Sequence, residues 1–277
     1  MPSSAPIGIF DSGVGGLTVA DAISRHLPNE NIIYFGDTAH LPYGDKTPAS
    51  ILKFSINITD FLVKKGCKIV VIACNTASAI SYEVLKKMQA ETTKIPIVDV
   101  ISPVSQMAAT DKEVKKIGII ATVRTVKTEV YPKILLKFNP QILTYPKATR
   151  SFAVMIEEGL FSNKKLIHSL VEHYFTTPDF AHIDSLILGC THYPLIKPDI
   201  QYFFENHQDF KDRKIKIFDS TDCVALKVKN ILMKKDILND GDKKTLHQCY
   251  LSDYSASFAK SSNVFFREEL NIEEAKI

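Results

Sequence analysis

Ile69-Val70-Val71-Ile72-Ala73-Cys74-Asn75-Thr76-Ala77-Ser78 is the stretch whose reading decides the fold. Its first four residues are all β-branched and apolar, with no polar alternation. Such a run reads as a strand covered on both faces, which parallel sheets achieve by packing helices on each side. The apolar run stops at Cys74. Asn75, Thr76 and Ser78 follow, residue types that open helices, and an amphipathic pattern continues from Ala77 to Gln89. Leu186-Ile187-Leu188-Gly189-Cys190-Thr191-His192-Tyr193-Pro194 repeats the design: a buried strand, a cysteine, then polar helix-opening residues.

Working outward, strands are expected at Ile7 to Phe10, Asn31 to Phe35, Ile95 to Val98, Lys116 to Ile120, Gln141 to Tyr145 and Ile215 to Phe218. Helical patterns such as Leu17 to His26 and Pro48 to Lys65 lie between them, which predicts an α/β fold with mostly parallel sheets. Ile7-Gly8-Ile9-Phe10 is echoed 110 residues on by Ile117-Gly118-Ile119-Ile120, and Ile32-Ile33 by Ile142-Leu143 at the same offset. The strand into Cys74 meets the strand into Cys190 at an offset of 116. The common order of these matches argues for two related halves. The expected domains are residues 1–99 with the tail 213–277, and residues 100–212. Each is a sheet flanked by helices, and the two face each other across a cleft that holds the active site.

Composition narrows the function. Hydrophobic residues are 45% and charged residues 23% of the 277, as in a globular enzyme. Lysine plus arginine exceeds aspartate plus glutamate by only three (34 − 31), scattered along the chain, so no electrostatic footprint for nucleic acid appears. No basic segment leads into an apolar leader, and no apolar run approaches a membrane span, so a cytoplasmic protein is expected. The five cysteines, 67, 74, 190, 223 and 249, are odd in number and lack ligand spacing, which suggests neither a disulfide framework nor a metal site.

A free cysteine is more often a small buried hydrophobe than a catalyst, and that reading suits Cys67, Cys223 and Cys249. Cys74 and Cys190 differ because both end a strand in both halves. Ligands of open α/β sheets bind at the carboxyl ends of strands, and backbone amides at a helix start favour thiolate. A matched pair of thiols suits chemistry in which a proton leaves one face of a carbon and another arrives at the opposite face.

Two loops supply polar neighbours. Asp11-Ser12-Gly13-Val14-Gly15-Gly16-Leu17-Thr18 follows the first strand and could cradle an anion on its amides. Thr18 stands where a dinucleotide fingerprint needs a small residue, and Asp11 also reads as a plain helix cap. Phe35-Gly36-Asp37-Thr38-Ala39-His40-Leu41-Pro42-Tyr43-Gly44 follows the second strand. Its Pro-Tyr-Gly turn offers amides to a carboxylate, or is simply a connecting loop. His192, two residues past Cys190, could tune that thiol or bind substrate.

With these motifs in hand, the chain resembles the glutamate racemases of the aspartate/glutamate racemase superfamily. The likeness rests on Asp-Ser-Gly-Val-Gly-Gly, Gly-Asp-Thr-Ala-x-x-Pro-Tyr-Gly, Ala-Cys-Asn-Thr-Ala and Gly-Cys-Thr-His-Tyr-Pro-Leu, in that order. It implies two domains related by pseudo-twofold symmetry, no cofactor and no metal. It further implies Cys74 and Cys190 as the two bases, Asp11 assisting Cys74, and His192 with Glu157, in preference to Glu158, assisting Cys190. Ser12, Pro42, Tyr43, Gly44, Asn75, Thr76, Thr191 and His192, with Asp11, would contact the substrate. The implied role is to supply D-glutamate for peptidoglycan. The resemblance allows a homodimer, which the residues themselves leave open. Ala121-Thr122 replaces the family's Gly-Thr, and Lys147-Ala148-Thr149-Arg150-Ser151 lacks its usual proline. An aspartate racemase is the nearest alternative, a two-lobed amino-acid-binding protein belongs to another class, and a thiol hydrolase would leave the second cysteine unexplained.

Overall fold

The strands of the computed structural model, which describes residues 1–210, 212–241, 245–254 and 256–277, are β1 (Ile7–Asp11), β2 (Ile32–Gly36), β3 (Ile69–Ile72), β4 (Ile97–Asp99), β5 (Lys116–Ala121), β6 (Leu143–Ala148), β7 (Ser185–Gly189), β8 (Lys216–Phe218), β9 (His247–Leu251) and β10 (Asn271–Glu274). They form a six-stranded sheet, β10-β9-β2-β1-β3-β4, and a four-stranded sheet, β6-β5-β7-β8. Every pairing is parallel. The chain divides into two units, Met1–Val100 with Thr221–Ile277, and Ile101–Ser220.

The internal repeat is visible as topology. In the first unit β1 lies between β2 and β3, with β4 outside β3. In the second, β5 lies between β6 and β7, with β8 outside β7. The registers match as well: Gly8 pairs with Val70 and Phe10 with Ile72, as Gly118 pairs with Leu186 and Ile120 with Leu188. Cys74 is two residues beyond Ile72 and Cys190 two beyond Leu188, so the two cysteines hold one position in two copies of a strand. The loops after the second strands also match. Asp37 N–H donates to Asp11 O at 3.0 Å, and Thr149 N–H donates to Ala121 O at 2.9 Å.

Central strands are buried on both faces, as their unbroken apolar runs require: all of β1, β3 and β7 is buried. Helix Leu17–His26 turns Leu17, Val19, Ala20, Ala22 and Ile23 inward and packs against helix Thr221–Lys234. Each such leucine or isoleucine contributes about 1.5–3 kcal/mol through burial. Among the described residues no helix is long and apolar enough to cross a membrane.

Three expectations shift. The tail returns to the first unit at Thr221, not at 213, because Lys216–Phe218 pairs with Ser185–Ile187. The strand expected at Gln141 to Tyr145 runs Leu143–Ala148, since the Asn139 side chain and carbonyl hold the amides of Gln141 and Ile142 in a turn. The tail also supplies β9 and β10, which its sparse apolar pattern did not signal.

Candidate active site

In the first unit the polar residues gather at the carboxyl ends of β1, β2 and β3. Cys74 is itself the cap of helix Asn75–Glu91, with an extended backbone (φ −107°, ψ 123°). Its Sγ accepts the Ala77 N–H at 3.4 Å and lies 3.8 Å from Ser12 Oγ. Only 5% of the residue is exposed, and Asn75 and Thr76 beside it are buried. An amide dipole aimed at sulfur favours its anionic form.

Asp11 is buried, and its carboxylate accepts the amides of Gly13 at 3.2 Å and Gly16 at 2.9 Å. Leu17 and Thr18 amides are taken by Val14 and Gly15 carbonyls. The amides of Gly13, Gly16, Leu17 and Thr18 are thus taken by the turn's own aspartate and carbonyls. Its glycines serve close approach: a Cβ on Gly16 would stand 2.6 Å from Asp11 Cβ and 3.0 Å from Ala73 Cβ. Tyr34 Oη closes the turn by donating to Gly13 O at 2.7 Å, and burial, with the Asp11 charge, holds this phenol protonated far above its ordinary range.

The Pro42-Tyr43-Gly44 loop is anchored from below. The Leu41–Pro42 peptide is cis. Pro42 is exposed, Gly44 half-buried and Tyr43 buried. The Tyr43 hydroxyl donates to Asp37 Oδ2 at 2.5 Å, which ties the loop to the residue after β2. Asp37 Oδ1 accepts from Ser252 Oγ at 2.7 Å and lies 2.8 Å from His40 Nδ1. Asp37 and Ser252 escaped the sequence reading, since a Gly-Asp-Thr turn signals its own loop but not a partner 215 residues away.

The second unit is built differently. Cys190 follows β7, but the chain first makes a 3-10 turn, Tyr193–Ile196, and the α-helix begins only at Lys197. Cys190 is thus not a direct helix cap. Pro194 sits in the turn and Pro198 in the first turn of the helix, where neither can donate an amide. A histidine takes the amide's place: Cys190 Sγ lies 3.5 Å from His192 Nδ1, and His192 Nε2 lies 3.0 Å from Glu157 Oε1. Glu157 ends helix Arg150–Glu157, whereas Glu158 is already past it. Burial opposes charging His192, but the Cys190 thiolate and then the Glu157 carboxylate outweigh it and raise its pKa well above 6.5. Thr191 is buried beside them.

Of the remaining cysteines, Cys67 and Cys249 behave as core residues. Burial pushes Cys67 and Cys249 each up to about 12, and Cys223 is half-buried. Among the described residues, no group of three or more histidine, cysteine or acidic side chains is arranged to hold a metal ion.

Two parallel α/β units, each ending its third strand in a cysteine among polar side chains, define an enzyme of the racemase class, and the chain belongs to the Asp/Glu/Hydantoin racemase family, whose model matches residues 15–228. Its relatives include glutamate racemase of Geobacter metallireducens, 37% identical over 270 residues covering 98% of this chain and 95% of that one. Glutamate racemase of Neisseria meningitidis serogroup C is 38% identical over 254 residues, 91% and 89% of the two chains. The solved structure of glutamate racemase from Francisella tularensis in complex with D-glutamate matches with a TM-score of 0.87 at 32% identity, over 99% and 98% of the chains.

Proposed function

We propose that this racemase interconverts L- and D-glutamate, one of Cys74 and Cys190 taking the Cα proton and the other delivering its own proton to the opposite face. The observation that carries the reading is the identical register of the two cysteines in two units of one strand order. Glutamate as substrate is supported by relatives of that name over nearly the whole chain.

One thiolate takes the Cα proton and becomes a thiol, leaving the electron pair on Cα, where the carboxylate stabilises it. The other thiol protonates the opposite face and becomes a thiolate. The pair ends with its protons exchanged, ready for the reverse reaction. The helix amide and Ser12 support the anion of Cys74, with Asp11 fixing the turn that carries Ser12. His192, held by Glu157, supports the anion of Cys190 as an imidazolium. The backbone of Pro42-Tyr43-Gly44 and the side chains of Ser12, Asn75, Thr76, Thr191 and His192 hold the amino and carboxylate groups. The product would supply D-glutamate for peptidoglycan in the cytoplasm.

The test is to incubate L-glutamate with the protein in D2O, without added cofactor, and to separate the enantiomers. D-glutamate carrying deuterium at Cα is expected. Binding without exchange, or exchange confined to aspartate, would overturn the proposal.

A further inference from the structure

The position after the second strand of each unit does the same job with different chemistry. Asp37 and Thr149 make the same backbone bond to the end of the first strand. Each also binds the hydroxyl of a fully buried tyrosine: Asp37 holds Tyr43, while Thr149 Oγ1 lies 2.8 Å from Tyr193 Oη, which donates to Thr149 O at 3.0 Å. Tyr43 belongs to the Pro42-Tyr43-Gly44 loop. Tyr193 directly follows His192.

We infer that Asp37 and Thr149 are paired positioning residues, the first setting the substrate-holding loop and the second setting the Cys190–His192–Glu157 chain; the inference rests on the roles proposed above for that loop and that chain. In the first unit Asp37 is a hub. It ties Tyr43 and His40 to Ser252 at the end of β9, and Ser252 Oγ in turn accepts the Ala39 amide at 2.9 Å. Three residues of the loop, Ala39, His40 and Tyr43, are therefore held by Asp37 directly or through Ser252, and what they fix is the position of the Tyr43 and Gly44 amides. In the second unit Thr149 stands immediately before helix Arg150–Glu157, whose last residue touches His192. The bond from Thr149 to Tyr193, backed by Phe152 edge-on to the Tyr193 ring at 5.6 Å, bolts that helix to the segment carrying His192. That bond and the ring contact together set the 3.0 Å contact between Glu157 and His192.

The two devices therefore act on different kinetic steps. Loop position governs how tightly substrate is held, and the Glu157–His192 contact, which sets the charge on His192 beside Cys190, governs proton transfer. Asp37→Asn and Tyr43→Phe should each raise KM by about tenfold with kcat within about threefold, the scale of one hydrogen bond to a charged group. Asp37→Asn/Tyr43→Phe should be no worse than the poorer single variant, because the bond that Tyr43→Phe deletes is among those that Asp37→Asn already disturbs. Thr149→Val and Tyr193→Phe should do the opposite: KM kept, kcat lowered about tenfold, and the His192 titration moved to lower pH in NMR of histidine-labelled protein.

The phenylalanine variants keep the buried ring, so they test the bond and not the fold. Glutamate binding by calorimetry and the His192 titration are read without turnover. They remain informative if the wild-type chain fails to racemise glutamate, an outcome that would sink the proposed substrate instead. Variants that lower Tm while leaving KM, kcat and the His192 titration unchanged would overturn the inference. So would additive effects in Asp37→Asn/Tyr43→Phe.

Discussion

His192 Nε2 lies 3.0 Å from Glu157 Oε1, while its other ring nitrogen faces the sulfur of Cys190. A buried imidazole would ordinarily stay neutral, since burial penalises the charged form. Here two anions reverse that outcome and the imidazolium persists above the ordinary histidine range. Glu157→Gln removes one of them, so the His192 pKa must fall. If the imidazolium is the active form, kcat declines as pH rises past the pKa of His192, and Glu157→Gln moves that decline to lower pH. Histidine NMR and kcat–pH profiles of the two proteins check it; an unmoved profile would show that Glu157 does not act through His192.

The same shift links pH to stability. A group whose folded pKa is raised stabilises the fold fully below its unfolded pKa, about 6.5 for histidine, and loses that contribution as pH rises through the folded pKa. His192→Asn should therefore cost most in acid solution. The stability gap from wild type should narrow steadily above about pH 6.5. Urea denaturation across that range measures it, and a gap that widened with pH would contradict the assigned direction.

Much of this was legible in the residues, and the reasons are physical. Ile69-Val70-Val71-Ile72 and Leu186-Ile187-Leu188 have no polar face, so their burial between helices follows from composition. The edge strands have weaker signatures because one side needs no partner: β6 carries Pro146, and β10 is largely exposed. Cys74 and Cys190 stand at strand ends, which periodicity locates. Bonds made across long loops are different. Asp37 to Ser252 and Thr149 to Tyr193 depend on where chain segments meet, which no local pattern encodes. In the Gly13 to Gly16 turn the local pattern likewise left out one contact: Asp11, the residue leading into it, takes the amides of Gly13 and Gly16 itself.

The two thiols are expected to be equally indispensable despite their unlike surroundings, since in the proposed mechanism one gives a proton whenever the other takes one. Cys74→Ser and Cys190→Ser should each lower racemisation about 10²–10⁴-fold, the range for losing a general acid or base. Glutamate affinity should stay within about threefold, as neither sulfur is asked to bind a carboxylate. Chiral chromatography and calorimetry give both numbers. A Cys74→Ser protein that still racemised at the wild-type rate would leave Cys190 acting with some other base.

Lys68 precedes β3 at the end opposite Cys74, and its Nζ meets Glu30 Oε2 at 2.6 Å with both side chains essentially buried. The ammonium also donates to Ile237 O at 2.9 Å, and Glu30 Oε1 accepts the Asn239 amide at 2.9 Å. The pair thus ties the start of β3 to the segment that follows helix Thr221–Lys234. Removing one partner strands a buried charge, so Lys68→Met or Glu30→Leu alone should cost about 3–5 kcal/mol. Replacing both together removes the stranded charge, and Lys68→Met/Glu30→Leu should recover most of that loss. Urea denaturation of the three variants reads the energies, and racemisation per folded molecule should be unchanged, because the pair lies at the amino ends of the strands. A double variant as unstable as the sum of its singles would mean that the neutral bonds to Ile237 and Asn239, not the paired charges, hold the tail in place.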